Sequence, residues 1–214
     1  MNFLNVINKC LTELNYKPVN TFAELTKNEH KKIMNILNVL NSEVCMYAKW
    51  NFLVRKYSMV LAKGKKEFDN PINGRISQLI IGGHSFKYCE NVGELLIGQH
   101  KGKELYSYYQ NKIVLAKTFE KEQEVQIVYY TNCVVTDVNG VEKDVLEFET
   151  DKSLIPLPFL EPVLVYGTCM RLKGNQQHIR FNYWVTMYKE ALANMVSKCS
   201  LDIEYAPVVK LKRT

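Results

Sequence analysis

Residues 51–62 read NFLVRKYSMVLA, and at this point the pattern of the chain changes from helical to extended. This run is rich in β-branched and aromatic residues, which favour strands. Four further runs of the same kind follow, with Gly, Asn and Lys between them: GRISQLIIGG (74–83), LYSYYQ (105–110), KIVLAKTF (112–119) and EVQIVYYT (124–131). The sequence therefore predicts an antiparallel meander of about five to seven strands over residues 51–150.

Two turns within this stretch carry hairpin signals. YYQNKIVL (108–115) has Asn between two extended runs, and DVNGVEKDVLEF (137–148) has the pair Asn139-Gly140. Asn-Gly is the preferred sequence of a type I′ turn, because both central residues then need a positive φ. We expect a hairpin in each segment, with the type I′ turn at Asn139-Gly140.

The chain before Trp50 has the 3.6-residue period of amphipathic helices. It predicts a helix over residues 2–15, a short helix capped by Thr21 with Glu24, and a longer helix from Asn28 to Lys49. The apolar stripe predicted for the longer helix is Ile33, Ile36, Leu37, Leu40, Val44 and Tyr47. Its predicted polar face is Lys31, Lys32, Asn35, Asn38 and Asn41.

After Leu154 the pattern becomes helical again. Pro162 suits the first turn of a helix, and Gly174 suits the left-handed position that ends one. A last helix then carries Trp184, Tyr188, Ala191 and Met195 on one face.

These patterns predict an α+β fold in which both ends of the chain form one helical bundle with an inserted antiparallel β module. The predicted boundaries are 1–50 and 154–200 for the bundle, 51–153 for the β module and 201–214 for an extended C-terminal tail.

The net charge is +6, from 28 Lys and Arg against 22 Asp and Glu, and it is unevenly distributed. Residues 51–103 carry 9 basic and 4 acidic groups, whereas residues 104–153 carry 5 and 10. This asymmetry fits a nucleic-acid contact, and it fits equally a protein that stacks head-to-tail on its own copies.

Motifs of catalysis or metal binding are not apparent. The six cysteines lie 30 or more residues apart, and the four histidines form neither HxH nor HxxxH. GxSxG, GxxxxGK[ST], GxGxxG and HExxH do not occur. We therefore expect no catalytic residue, no metal site and no cofactor. The carboxylate pairs Glu90 with Glu94 and Glu147 with Glu149 are the only candidates for hydrolysis, and each also fits a solvated acidic strip.

Candidate nucleic-acid contacts are Lys63, Lys65 and Lys66 together with Arg75, at a strand–loop junction, although these side chains also fit an ordinary solvated loop. Tyrosines in the predicted strands fit either base stacking or cross-strand packing. They are Tyr106, Tyr108, Tyr109, Tyr129 and Tyr130.

The helical ends resemble the tail tubular protein A family, the head-to-tail adaptors of short-tailed bacteriophages. The motifs that carry this resemblance are Pro18-Val19, Trp50-Asn51-Phe52, Leu157-Pro158-Phe159 and Glu190-Ala191. They cover about half of the chain, and the β module matches in position and size. Asn15-Tyr16-Lys17 replaces the glycine and acidic residue usual before the proline.

The resemblance implies a structural virion protein, assembled in the host cytoplasm and located in the neck of the tail, without enzymatic activity or a membrane partner. It implies a dodecameric ring that binds the portal protein and the tail nozzle or tail tube protein and continues the channel through which genomic double-stranded DNA is ejected. Lys63, Lys65, Lys66 and Arg75 are then candidates for the DNA channel.

The basic tail adds candidates for contact with the portal or a neighbouring subunit, namely Val208, Val209, Lys210, Leu211, Lys212 and Arg213. Two other functions stay open from the residues alone. They are a non-specific nucleic-acid-binding module and a hydrolase of wall polysaccharide.

Overall fold

The extended runs between Val54 and Thr131 form seven strands. The computed structural model describes residues 1–174 and 178–201. Its strands in this region are β1 Val54–Leu61, β2 Glu67–Asp69, β3 Gly74–Ile81, β4 His84–Tyr88, β5 Leu105–Tyr109, β6 Lys112–Leu115 and β7 Gln123–Thr131. They make one sheet in the order β1-β7-β3-β4-β5-β6-β2. The helices are numbered α1 to α6 along the chain, and the short helix α3 Val92–Leu96 lies between β4 and β5.

This sheet is mixed, not the antiparallel meander that the sequence predicts. β4 and β5 run parallel, with Lys87 paired to Leu105 and Tyr88 to Tyr106, whereas the other pairs are antiparallel. A parallel pair needs a crossover connection, and residues 89–104 with α3 supply it.

The sheet is also curled. β1 and β2 stand at opposite ends of the strand order, yet residues 62–66 are all that connect them. In a flat sheet six strand spacings would separate them by about 29 Å. The chain from Leu61 to Glu67 spans at most about 21 Å. The sheet therefore closes into a half-barrel around a core of its own. The fully buried members of that core are Leu61, Leu79, Ile81, Ile113, Leu115, Val125 and Ile127.

The rest of the chain forms a second compact unit. Contacts divide the protein into Val54–Asn132, here called the sheet unit, and Met1–Leu53 with the described residues from Cys133 onwards, here called the helical unit. The helices of the helical unit are α1 Phe3–Glu13, α2 Asn28–Met46, α4 Leu157–Glu161, α5 Gly167–Leu172 and α6 Phe181–Cys199. A 3₁₀ turn covers Phe22–Glu24, and a small antiparallel sheet has β8 Val135–Thr136 between β9 Glu142–Lys143 and β10 Lys152–Ser153.

The predicted fold class is wrong in its main feature. The fold is α+β, but the seven-stranded curled mixed sheet dominates it, and it is not a helical bundle with a small β module inserted. The residues after Cys133 also belong to the helical unit, because their strands pair among themselves as β10-β8-β9. Residues 202–214, which include the candidate contacts Val208–Arg213, lie outside the described residues.

The predicted polar face of α2 is partly an interior surface. Asn41 is fully buried, with its amide nitrogen donating to the Val134 carbonyl over 3.2 Å and its amide oxygen accepting from Ser153 Oγ at 2.5 Å. Asn38 holds the backbone of Leu146 through both its amide atoms, at 3.0 and 2.8 Å. The asparagines therefore fix the segment after Cys133 to α2, whereas periodicity alone predicts that their side chains face solvent.

Pro162 lies inside a helical stretch, not at its start. α4 begins at Leu157 with Pro158 in its first turn, and residues Pro162–Tyr166 form a turn of π-helix before α5. A proline without an N–H cannot donate to the carbonyl four residues back and clashes with it. The wider π turn at Pro162 is a common local response to such a lost hydrogen bond.

The type I′ turn occurs in the other predicted hairpin. Gln110 and Asn111, between β5 and β6, have φ values of 46° and 60°, whereas at Asn139-Gly140 only the glycine has a positive φ. There the Asp137 carboxylate accepts from the backbone N–H groups of Asn139 and Val141, both at 2.8 Å. This local hydrogen bonding of Asp selects a different turn.

Within residues 1–174 and 178–201, none of the helices is long and apolar enough to span a bilayer.

Candidate functional site

The three candidate lysines lie together on the connection between β1 and β2. Lys63, Lys65 and Lys66 are all exposed. The connection is held by Gly64, which has a φ of 76° and donates its N–H to the Phe119 carbonyl over 2.9 Å, and by the Lys66 carbonyl, which accepts from Leu115 N over 2.7 Å. In the described part of the chain no carboxylate forms an ion pair with these ammonium groups. The lysine loop, residues 63–66, is therefore held by backbone hydrogen bonds and bears three ammonium groups without a carboxylate partner among the described residues.

Arg75 does not join the lysine loop. Leu61, at the end of β1, pairs with Gln123, whereas Arg75 pairs with Tyr130 at the far end of β7. Seven residues of strand correspond to roughly 23 Å. The structure therefore separates the four residues that the sequence groups as one basic cluster.

Arg75 instead lies near a group of tyrosines in the sheet unit. The rings of Tyr88, Tyr106 and Tyr108 are 5.6 to 6.2 Å apart in edge-on and tilted contacts. Burial is the main reason that the pKa of Tyr106 rises to about 12, and the charge of Arg75 opposes that rise. Tyr106 is only 4% exposed. These rings pack against one another, which leaves Tyr106 no open face for stacking on a base.

A cluster of three potential metal ligands lies on the crossover between β4 and β5. Cys89, Glu94 and His100 each offer one ligand atom, and these atoms lie within 4.8 Å of one another. The Glu94 carboxylate is 2.7 Å from His100 Nε2, and its other oxygen accepts from the Asn91 side chain at 2.9 Å. The hydrogen bond from His100 is the main cause that lowers the pKa of Glu94.

This cluster does not have the arrangement of a catalytic cysteine. A thiol nucleophile needs one imidazole nitrogen as its base while a carboxylate holds the other. Here Lys103 Nζ lies 3.3 Å from His100 Nδ1, and the Cys89 thiol points to the Asn91 carbonyl at 3.5 Å. Glu90 is exposed, and Glu94 is committed to Asn91 and His100, so the predicted carboxylate pair is not a matched acid and base either.

The helical unit carries an acidic surface with exposed apolar side chains. Residues 137–149, here called the acidic segment, contain five carboxylates and one lysine. Its exposed apolar side chains are Val138 at 72%, Val141 at 61%, Val145 at 42% and Phe148 at 63% exposure. Four exposed apolar side chains therefore lie among the carboxylates within eleven residues of the chain.

The acidic segment is anchored by one buried ion pair. Asp151 is 1% exposed and accepts from the backbone N–H groups of Glu147 and Phe148 at 2.7 and 2.8 Å. Lys143 Nζ lies 2.7 Å from the same carboxylate. Burial raises the pKa of Asp151, but the hydrogen bonds from Lys143 and the two backbone groups outweigh it, and the pKa is lowered overall. The Asp151 carboxylate therefore fixes the backbone turn that carries the exposed side chains of the acidic segment.

Comparison with protein-family models and with curated proteins gave no match.

Sequence reasoning missed both the metal-ligand cluster and the acidic segment. The spacing Cys-x₄-Glu-x₅-His resembles no common metal motif, and only the crossover around α3 brings the three side chains together. The excess of carboxylates over basic residues in the acidic segment is visible in the sequence, but the extended pattern predicts that this segment belongs to the β module.

Proposed function

We propose that this chain is a structural subunit of a head-to-tail adaptor ring in a short-tailed bacteriophage, without catalytic activity. In this proposal twelve copies form a closed ring that binds the portal protein on one side and the tail nozzle or tail tube protein on the other. Genomic DNA passes through the ring without specific recognition. The protein is then part of the virion and is assembled in the host cytoplasm.

The motifs of the resemblance support the proposal through their places in the helical unit. Trp50 is fully buried, donates Nε1–H to the Val44 carbonyl over 2.7 Å and stacks on Phe52 with ring centroids 5.6 Å apart. Val19 is hydrogen-bonded through its backbone N–H and carbonyl to the Asn8 side chain. These residues hold the turns after α1 and α2 against the helices, as expected of motifs that serve in packing.

The observation that carries the proposal is the acidic segment. Neighbours in a ring meet through two different patches, so each subunit needs complementary surfaces. The acidic segment offers carboxylates around exposed valines and Phe148. The sheet unit carries 12 Lys and Arg against 8 Asp and Glu, and so has the opposite sign. We propose that the acidic segment of one copy contacts the sheet unit of the next.

The proposal gives a second contact role to residues of the C-terminal tail, namely Val208, Val209, Lys210, Leu211, Lys212 and Arg213. Two β-branched residues, Val208 and Val209, follow Pro207 and favour an extended form, which suits an added strand on an exposed sheet edge. We propose that they contact the portal or a neighbouring subunit in this way.

A charge reversal tests the proposed contact. Asp144 and Glu149 are exposed carboxylates of the acidic segment, and Glu120 and Glu122 are exposed carboxylates of the sheet unit. The pair Asp144→Lys and Glu149→Lys changes the charge by the same amount as Glu120→Lys with Glu122→Lys. Each protein is mixed with the portal protein of the same virion and the fraction in rings is counted by negative-stain imaging.

The proposal predicts that the acidic-segment variant loses most of its rings, because like charges then face each other across the contact. The sheet-unit variant retains more of them. Equal ring formation by both variants and the parent would contradict the contact, and absence of rings with the parent protein would contradict the adaptor function.

A further inference from the structure

The crossover between β4 and β5 holds three side chains that are all good ligands for a borderline divalent metal ion. We propose that Cys89, Glu94 and His100 bind a single divalent cation of the Zn²⁺ class. This site goes beyond the proposed adaptor function and does not depend on it, since it lies entirely within the sheet unit.

The distances fit a site that closes on the ion by small side-chain movements. In a tetrahedral zinc site a thiolate sulfur and an imidazole nitrogen lie about 3.5 Å apart, given the usual bond lengths. The three ligand atoms here lie within 4.8 Å of one another, and the Glu94 and His100 atoms are already 2.7 Å apart. Binding of the ion requires the Glu94 and His100 atoms to separate to about 3.3 Å and Cys89 Sγ to lie about 3.5 Å from each of them.

The backbone that carries the ligands is well fixed. Cys89 donates its N–H to the Tyr106 carbonyl in β5 over 2.8 Å, and Glu94 donates to the Asn91 carbonyl over 3.2 Å. The His100 backbone carbonyl accepts from the Lys103 N–H, and the Glu94 backbone carbonyl accepts from the Gln99 N–H, both over 3.0 Å. The backbone around the ligands is therefore ordered before an ion binds, which lowers the cost of binding.

The donor types select the class of ion. A thiolate, an imidazole and a carboxylate together suit Zn²⁺ and its neighbours in the transition series, whereas Mg²⁺ and Ca²⁺ prefer oxygen ligands alone. All three side chains are half-buried, so solvent reaches the cluster and a water can take a fourth position.

Two existing contacts must change when the ion binds. The single ring proton of His100 lies on Nε2, between the ring and Glu94, and it moves through solvent to Nδ1 so that Nε2 can bind the metal, while the Cys89 thiol releases its proton to solvent. Nδ1 then donates, whereas it now accepts from Lys103 Nζ at 3.3 Å. Lys103 has to swing away, and its charge also opposes the cation, so Lys103 reduces the affinity of the site.

The experiment is a titration of the untagged full-length protein, in a reducing buffer free of chelators, with Co²⁺ as the spectroscopic probe and Zn²⁺ as the competitor. We expect one ion per chain, a thiolate-to-cobalt charge-transfer band in the near ultraviolet, and displacement of that band by Zn²⁺. Cys89→Ser should abolish the band. Glu94→Gln and His100→Gln should each weaken Co²⁺ binding at least tenfold, while Lys103→Gln should strengthen it.

His84→Gln is the matched control. His84 is an exposed histidine of the same sheet and lies 3.0 Å from Glu104, but in the described part of the chain no cysteine joins that pair to make a three-ligand cluster. The control should bind Co²⁺ like the parent, and circular dichroism checks that every variant is folded. The proposal is overturned if the parent shows no charge-transfer band, if Cys89→Ser keeps the band, or if folded His100→Gln binds no more weakly than His84→Gln.

Discussion

At the scale of single residues, Asp151 carries the most demanding electrostatic position in the helical unit. Its carboxylate is buried, accepts two backbone N–H groups and is paired with Lys143. Removal of this charge costs stability, because Lys143 then loses the closer of its two carboxylate partners, Glu147 at 3.5 Å being the other.

We predict that Asp151→Asn lowers the free energy of unfolding by about 2 kcal/mol at neutral pH, because the attraction to Lys143 is lost. Asp144→Asn, an exposed carboxylate of the same segment, should change it by less than about 0.5 kcal/mol. Chemical denaturation of the three proteins measures this difference.

The Asp151 carboxylate also determines how the stability of the folded protein depends on pH. The pKa of Asp151 is lowered in the folded state, so its contribution is complete above the ordinary Asp pKa of about 3.9 and is lost as the pH falls through the lower folded value. The parent and Asp151→Asn should therefore converge in stability in strong acid. A difference that persists unchanged from pH 7 to pH 2 would show that the charge is not the cause.

The lysine loop makes a prediction about DNA. Lys63, Lys65 and Lys66 are exposed and have no carboxylate partner among the residues that the structure describes, and a channel that lets a genome pass should hold it only weakly. We predict that isolated subunits bind duplex DNA with a dissociation constant of roughly 10⁻⁴–10⁻⁶ M, and that this binding weakens as the salt concentration rises.

Replacing the three lysines with Gln should flatten the salt dependence of DNA binding, measured by fluorescence anisotropy, and should leave ring formation intact. Replacement of Lys27, Lys31 and Lys32, three exposed lysines at the start of α2, is the matched control and should have a smaller effect. Tight binding that prefers one sequence and persists in high salt would instead favour the nucleic-acid-binding module.

At the scale of elements, the close approach of helices in the helical unit depends on Gly167. A Cβ atom at this position would lie 2.6 Å from Leu40 Cδ2 and 3.0 Å from the ring of Tyr188, which belong to α2 and α6. Leu40 is fully buried and has no room to retreat freely.

We predict that Gly167→Ala lowers the stability of the protein by about 1–3 kcal/mol, the usual cost of overpacking a core. Gly174→Ala is the control, since among the described residues a Cβ there meets only the Arg171 carbonyl, at 3.9 Å. Thermal melts compare the two variants. A Gly167→Ala protein as stable as the parent would mean that α2, α5 and α6 pack less closely than described.

Periodicity in the sequence was sufficient to locate many elements but not to pair them. α1, α2 and α6 lie within the predicted helical stretches, and Trp184, Ala191 and Met195 share the buried face of α6 as expected. Strand pairing was assigned by nearest neighbours in the chain, whereas β1 pairs with β7 across more than sixty residues. Local propensity contains no information on such a long-range choice, and this is why the fold class was wrong.

The candidate sites show the same limit. The lysine loop could be found from its sequence because its members are adjacent, but Arg75 was added to it by proximity along the chain and lies elsewhere. Cys89, Glu94 and His100 share no recognised spacing and meet only through a crossover that the antiparallel prediction excluded. Asn38 and Asn41 were assigned to solvent because polarity alone does not distinguish a hydrated amide from one that binds the backbone.

At the scale of the whole molecule, opposite charges reside in different parts of the chain. The acidic segment belongs to the helical unit, and the lysine loop belongs to the net-positive sheet unit. A subunit built this way can contact a copy of itself head-to-tail, and a repeated contact of that kind closes into a ring when its rotation divides a full turn.

The central claim, that the chain is a ring-forming adaptor, is tested most directly by native mass spectrometry of the protein mixed with the portal protein of its virion. The account predicts a complex that contains twelve copies of the 24.9 kDa chain for each portal ring. A chain that remains monomeric and unbound in that mixture, at concentrations where both proteins are folded, would contradict it.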